Sequence, residues 1–560
     1  MSFRSFASLG ALALLPAALA AQEPLPLKYS GPPTSAAISA GDLMTRLYLF
    51  ADDSMMGREA GTPGHMKGTA YIAAELAKLG LVPAGDNGTY FQSIPLFSRR
   101  FDPNTTLTVD GASVVGVTDF VPVPFRGAAA RALDGVQTVY GGVLGDSVNA
   151  ITAEQAAGRL VIFSGQLTPT PLRMTPALAQ AAGIAVALAP RLTPAQLSVG
   201  RTASFALKSS SSDAAAVPVW LYVTVGGAER LLGRPLEGAA VGTTGKTVHG
   251  NLQYIEAPAP TRNVVAVLPG VDRRLKGEYV AIGAHSDHVG IRAAGAVDHD
   301  SVHVFGSQRW FASENPSGAR LTPEQRVALQ GRIADIRVNV DSLHASRPAR
   351  RDSIANGADD DGSGTVTVLE VAEAYAKGKV KPKRSILFVW HTGEEKGLLG
   401  SRYFADNPTV PRDSIVAQIN IDMVGRGAAR DLAAGSEKYL QLVGSRRLST
   451  ELGDLAETVN KSEAMPFTFD YAFDANGHPD NIYCRSDHYN YARYGIPVVF
   501  MTTGLHGDYH QVTDEPQYID YPHMARVGQF VYDLASRVAA LDHRPVVDKE
   551  KPDPAGTCRQ

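Results

Sequence analysis

The stretch Arg384–Ser401, RSILFVWHTGEEKGLLGS, decides the fold. Ser385–Trp390 is a short apolar run with β-branched and aromatic members, long enough for one buried strand. It breaks abruptly into His391-Thr392-Gly393-Glu394-Glu395-Lys396-Gly397, after which Leu398, Leu399 and Tyr403 resume at a spacing that suits a helix start. Two adjacent carboxylates therefore sit where a parallel strand ends, the edge at which open α/β sheets place their ligands. Neighbouring residues in extended chain point to opposite sides, so Glu394 and Glu395 are not expected to share one task. One can hold a metal while the other faces a water on it. A Gly-Glu-Glu turn standing alone is more often a solvated turn; the rest of the chain is what changes that reading.

Working outward, other short motifs also follow apolar strand candidates. Tyr279–Ala284 runs into His285-Ser286-Asp287-His288, Val416–Ile421 ends at Asp422, and Ile496–Met501 is followed by Gly504–His510. Asp360 opens a helix after the Gly-flanked acidic loop Asn356–Gly364. Strands alternating with helices predict a mostly parallel sheet with covered faces. In such a sheet the strand ends share one edge, so His285, Asp287, Asp360, Glu394, Glu395, Asp422 and His510 converge. Gathering carboxylates without a cation costs several kcal/mol in desolvation and repulsion. The donors are His and carboxylate with no sulfur, which suits zinc or a similar divalent metal in a catalytic site. A carboxylate shared by two metals makes a clamp that activates one water.

Beyond the motifs, the 560 residues are too many for one ordinary core. A net charge of −3 argues against nucleic acid as a partner. Met1–Ala21 reads as a secretory signal peptide, with Arg4, an apolar run from about Leu9 to Ala18 and the small-residue site Ala18-Leu19-Ala20. Its apolar run is too short to span a bilayer, and no later segment is apolar enough, so a secreted or periplasmic protein without a membrane anchor is expected. Pairing of Cys484 with Cys558 stays open. Residues 22–117 and 249–545 are expected to form a discontinuous catalytic α/β domain, a mostly parallel mixed sheet covered by helices. Residues 118–248 are poor in charge, hold no ligand cluster, and carry strand-like runs such as Arg159–Phe163, Ile184–Ala189 and Val217–Val223; they read as a smaller, β-rich inserted domain. His299–Ile354 is a charged insertion with a helical piece around Pro323–Leu343 and a basic cluster at Arg347, Arg350 and Arg351, read as a solvated face. Residues 546–560 read as a flexible tail.

The order H-x-D, D-D-D-G-S-G, G-E-E-x-G-L-x-G-S, I-D-M and D-Y-H resembles the M28 family of dinuclear zinc peptidases, as do Gly57–Gly64 (GREAGTPG) and Gly85–Gln92 (GDNGTYFQ). Gly158–Ile162, an Ala-rich helix and Ala182–Val186 resemble the protease-associated domain. The family resemblance implies two zinc ions per chain: His285 and Asp422 on one, Glu395 and His510 on the other, Asp360 bridging. It further implies Glu394 as the general base on a bridging water, Asp287 holding the second nitrogen of His285, and a cis peptide at Asp360–Asp361. His288 and His391 read as loop or core histidines, and Ser486-Asp487-His488 as either pocket wall or ordinary packing. The function implied is an exported exopeptidase removing N-terminal residues from peptides. Carboxypeptidase or glutaminyl cyclase activity on the same fold, or a binding protein that has lost its metals, are the alternatives; oligomeric state and side-chain preference are not readable.

Overall fold

A computed structural model describes residues 25–123, 132–146, 148–165, 175–201, 203–208, 218–313, 321–345, 348–379 and 381–560. The expected signal peptide at 1–21, Val217 and Arg347 lie outside them. The larger sheet has nine strands: β1 (Val82–Pro83), β2 (Phe91–Ile94), β3 (Thr261–Leu268), β4 (Tyr279–His285), β5 (Ser385–His391), β6 (Ile415–Ile421), β7 (Tyr439–Val443), β8 (Thr468–Asp470) and β9 (Val498–Thr502). Their order is β1-β3-β5-β4-β6-β9-β7-β8, with β2 also on β3. The central strands β5, β4, β6 and β9 run parallel, while β3 and β7 flank them antiparallel. The sheet is thus mixed and mostly parallel at its centre, as the alternation of strands and helices predicts.

Alternation along β5 shows how the sheet is buried on both faces. Ile386, Phe388 and Trp390 enter one core and Leu387 and Val389 the other, each fully buried. The first core is closed by α1 (Ala40–Phe50), α2 (Pro63–Lys78), α3 (Gly364–Lys377), α5 (Thr450–Ser462) and α6 (Tyr521–Ala540). The second is closed by α4 (Leu399–Asp406) and a short helix, His488–Ala492. Among the described residues, no helix is long and apolar enough to cross a membrane.

A second sheet of six strands spans Phe120–Val248 and has its own cores. Its order is Thr244–Val248, Val136–Val143, Leu160–Ser164, Gly183–Ala189, Val219–Thr224 and Phe120–Val123. Two details differ from the sequence reading. Leu107, Val109 and Val114, ahead of residue 118, already pack into this second core. Conversely Ser204–Leu207 leaves it and pairs with Leu96–Phe101, which also pairs with Tyr254–Pro258. Apolar burial draws both segments across the expected boundary. The Ala-rich stretch before Ala182 forms only a single turn, Pro176–Leu178.

The charged insertion is a helical excursion, His299–Ser313, Pro323–Ala334 and Val340–His344. Its two ends are held together by paired short strands, Gly290–Ile291 with Ile354–Ala355 and Val297–Asp298 with Arg351–Asp352. The expectation of a flexible tail over 546–560 is corrected. Cys558 forms a disulfide with Cys484, Gln560 accepts from the Tyr483 N–H at 2.8 Å, and Asp548 accepts from the Thr450 N–H at 2.9 Å. Composition alone cannot reveal such fastenings.

Arg46 on α1 is buried and contacts Glu370 and Glu373 on α3 at 2.5 Å and Glu75 on α2 at 2.7 Å. Removing the guanidinium leaves the buried Glu370 carboxylate without a counter-charge, while Glu373 keeps Lys377 and Glu75 keeps Lys78. Arg46→Met is expected to cost about 3–5 kcal/mol, read as a lowered midpoint in urea unfolding. An unchanged midpoint would show that the helices are held by packing alone.

Candidate metal centre

The parallel run of β5, β4, β6 and β9 sets their C-terminal ends on one edge. His285 ends β4, Asp422 follows β6 directly, Glu394 and Glu395 follow β5, and His510 stands in the loop after β9. Asp360 arrives from the turn that opens α3, across a cis Asp360–Asp361 peptide. Asp360 is the centre of the arrangement. Its Oδ1 lies 3.2 Å from His285 Nε2, and its Oδ2 lies 3.0 Å from His510 Nε2. Asp422 Oδ1 is 3.6 Å from the same His285 nitrogen, and Glu395 Oε2 is 3.0 Å from His510 Nε2.

These atoms are close without being paired. His285 Nε2, Asp360 Oδ2, Glu395 Oε1 and His510 Nε2 are buried and have no partner in hydrogen-bond geometry. They converge on shared points instead, which is how ligands surround a cation. Two His/carboxylate groups have ligand atoms within 4.8 Å of one another: His285, Asp361 and Asp422, and His288, Asp360 and Glu395. Asp361 is already committed, because its oxygens accept from the backbone N–H of His285, Gly364 and Met423 at 2.9–3.2 Å. Asp360 is not so committed, and it faces both groups. The donor set, imidazole and carboxylate without sulfur, fits divalent zinc.

Around this cluster runs a layer of fixing contacts. Asp514 accepts from the backbone N–H of Asp359 and Asp360 at 2.9 and 3.0 Å. Ser486 donates to Asp422 Oδ2 at 2.7 Å, which gives Ser486 a definite place in the wall. Arg58, fully buried, donates to the carbonyls of Phe50, Asn356 and Gly357 at 2.7–2.9 Å. The Gly57–Gly64 loop, remote in sequence, thus clamps the strand that leads into Asp360. Gly357 has φ +55, and a Cβ there would meet the His288 ring at 2.5 Å, so no larger residue fits. Asp287 holds His285 differently from the sequence expectation. His285 Nδ1 lies 3.0 Å from the Asp287 backbone carbonyl, whereas the carboxylate stands 3.8 Å away and accepts from the Glu394 N–H at 3.3 Å.

His288 is brought into the cluster, against the sequence expectation of a loop or core histidine. It is fully buried, with Nδ1 2.9 Å from Glu395 Oε1 and 3.6 Å from Asp360 Oδ2. The only sequence signal for it was adjacency to Asp287. His391 faces away, its Nε2 2.9 Å from the Tyr491 hydroxyl. Glu394 lines two cavities. The smaller is shared with Asp360 and Asp422 and is walled mainly by Met423, Phe473, Ile482, Phe500 and Leu505, with Arg485 and Tyr509 lining both cavities. The larger is shared with Glu395 and His510.

Electrostatics follow from burial and crowding. Burial, together with the charges of Glu395, Asp422 and Asp487, pushes the Glu394 carboxyl well up despite His285 nearby. Burial likewise raises Asp422. Asp360 is held well below the usual range, because contact with His285 and His510 outweighs burial. Burial opposes the charge on His510, but Asp360 and Glu395 outweigh it and push it up to about 10. His285 is raised well above its ordinary value in the same way, chiefly by Asp422.

Residues 340–535 match the family model described as peptidase family M28. Leucine aminopeptidase 1 of Pyrenophora tritici-repentis is 28% identical over 203 residues, 34% of this chain and 48% of that protein. Leucine aminopeptidase 1 of Paracoccidioides brasiliensis is 31% identical over 196 residues, 32% of this chain and 47% of that protein. The chain thus spans about half the length of the curated relatives it matches. Among solved structures, an aminopeptidase from Aneurinibacillus sp. strain AM-1 is similar at TM-score 0.48 and 15% identity, covering 92% of this chain and 97% of that one. A zinc aminopeptidase from Bacillus subtilis is similar at TM-score 0.45 and 16% identity, covering 92% and 100%.

The raised histidines generate a pH test. In metal-free protein they retain protons that the unfolded chain loses above about pH 6.5. Their stabilisation is complete below that pH and is lost as pH rises toward about 10. Chelator-stripped protein is therefore expected to lose thermal stability steeply from about pH 7 to 10. Metal-loaded protein, with neutral imidazole ligands, should change less. Melting curves of both forms across that range make the comparison, and parallel slopes would contradict the assignment.

Proposed function

Because residues 340–535 match the model of peptidase family M28, we propose that this chain is an exported, zinc-dependent aminopeptidase. The observation that carries the reading is the Asp360 carboxylate, one oxygen toward His285 and the other toward His510. His285 and Asp422 would hold one ion, Glu395 and His510 the other, and Asp360 both. Bound there, the cations polarise the scissile carbonyl and make water a competent nucleophile at neutral pH.

The remaining work belongs to the side chains. Glu394 lines both cavities and so stands between the two halves of a peptide lying across the cluster. It takes a proton from the attacking water and returns one to the leaving amine. Asp287 fixes its main chain and, through its own carbonyl, the tautomer and tilt of His285. The smaller cavity carries an apolar wall of Met423, Phe473, Ile482, Phe500 and Leu505, which suits the side chain of an apolar first residue. The relatives' description as leucine aminopeptidases supports both that preference and the N-terminal direction of attack. Residues 1–21 would export the protein and be removed. Among its described residues the six-stranded unit contributes none to the cluster, and its part is access or partner binding rather than chemistry.

Protein purified without chelator should carry close to two zinc equivalents by elemental analysis. The adjacent glutamates should then separate. Glu395→Gln replaces an anionic donor and should weaken one site at least 10–100-fold in affinity, the order found when only a ligand's support is lost. Glu394→Gln should keep both ions and lose about 10²–10⁴-fold, mainly in kcat. Zinc content and steady-state kinetics on leucine amides check both variants; metal loss in Glu394→Gln with metal retained in Glu395→Gln would reverse the roles.

A further inference from the structure

The larger cavity beside the cluster, about 380 Å³, is lined by Glu395 and His510 of the cluster and also by Arg402 and Arg485. Three guanidinium groups buried elsewhere in the molecule are spent. Arg46 meets three carboxylates, Arg426 meets Asp431 and Asp508, and Arg384 meets Glu278 and three carbonyls. The two lining this cavity are held more loosely. Arg485 has no ion-pair partner among the described residues, only a 3.4 Å approach to the Tyr509 hydroxyl and a 3.5 Å approach to the Asp480 carbonyl. Arg402 stands 3.9 Å from Asp406, and its side chain is 55% exposed. Asp406 is itself taken by Arg493 and Tyr494. The wall is also fastened from outside. Cys484, next to Arg485, is bonded to Cys558, and Gln560 accepts from the neighbouring Tyr483 N–H.

We infer that this cavity is a carboxylate-reading subsite for the part of the peptide that leaves, with Arg485 and Arg402 as its specificity-determining residues. The inference rests on the aminopeptidase reading above. With the first side chain in the apolar cavity, the residue beyond the scissile bond enters the larger one. A planar guanidinium offers a fork of donors matched to a carboxylate, and a charged acceptor gains more from it than a neutral amide. The carboxylate can come from two sources: the free C-terminus of a dipeptide, or an Asp or Glu side chain at the second position.

The test uses zinc-loaded protein and two matched pairs, Leu-Ala against Leu-Ala-amide and Leu-Glu-amide against Leu-Gln-amide. In at least one pair the charged member should have a kcat/KM about tenfold or more higher, mainly through KM. A preference in the first pair assigns the C-terminal carboxylate; in the second, the side chain. The Arg402→Ala/Arg485→Ala double variant should bring the ratio toward about one, and Arg485→Lys should keep part of it. A ratio near one for the unaltered protein, or a ratio unmoved by the double variant, overturns the inference. Calorimetric binding of the reduced-amide analogue of Leu-Ala and of its C-terminal amide, with the corresponding Leu-Glu-amide and Leu-Gln-amide analogues, separates the two readings. If nothing is cleaved yet the charged member binds more tightly, and only with both arginines present, the subsite stands and the peptidase reading falls. If charged and neutral analogues bind alike, the subsite falls whatever the activity.

Discussion

Repulsion among Asp360, Glu394, Glu395 and Asp422, gathered at one buried sheet edge, is the constraint that the surrounding structure answers. Two unit charges about 4 Å apart repel by about 4 kcal/mol at an effective dielectric near 20, a large share of the roughly 5–15 kcal/mol that holds a domain folded. His285, His288 and His510 answer part of it by standing within 2.9–3.6 Å of these oxygens. The oxygens and nitrogens left without partners form a donor set that suits divalent cations. The same crowding that opposes folding of the bare chain is what makes the site select for metal.

Positioning is delegated to residues that do not touch the cluster's centre. Asp361 and Asp514 use their carboxylates on backbone amides and so fix the turn that aims Asp360. Arg58 gathers carbonyls from α1 and from the strand before that turn, and Arg46 ties α1 to α3, which begins where the turn ends. A segment near residue 58 therefore governs a site whose residues begin at 285. Each such contact is a hydrogen bond or ion pair inside a low-dielectric layer, where directional interactions are strongest and mistakes most costly.

Strand ends and their cargo were readable because buried parallel strands are near-continuous apolar runs, and a polar residue that ends one must lie on the shared edge. That logic placed His285, Glu394, Glu395, Asp422 and His510 together before any coordinates. It named Asp360 from its place at the helix start, and it had no sight of the backbone amides that occupy the neighbouring Asp361 carboxylate. It set His288 aside because one more histidine beside Asp287 has no periodicity to mark it. It also took residues 546–560 for a free tail, because a disulfide and a side-chain amide leave no trace in composition. Local pattern reports what a segment is; long-range contacts such as Arg58 to Asn356 report where it is used, and no short window contains both ends.

The Cys484–Cys558 bond joins positions 74 residues apart and backs the wall that carries Arg485. Thiols stay reduced in a cytosol and pair in an oxidising compartment. Export, as proposed above, would therefore stage maturation of this protein in time as well as in space. The strand edge and its ligands can assemble anywhere the chain folds, whereas the outer wall is locked only after oxidation. A newly made molecule would carry a complete set of metal ligands behind an unfastened wall. Under the export and the subsite proposed above, the redox state of its surroundings would act as a timer on how narrowly it discriminates.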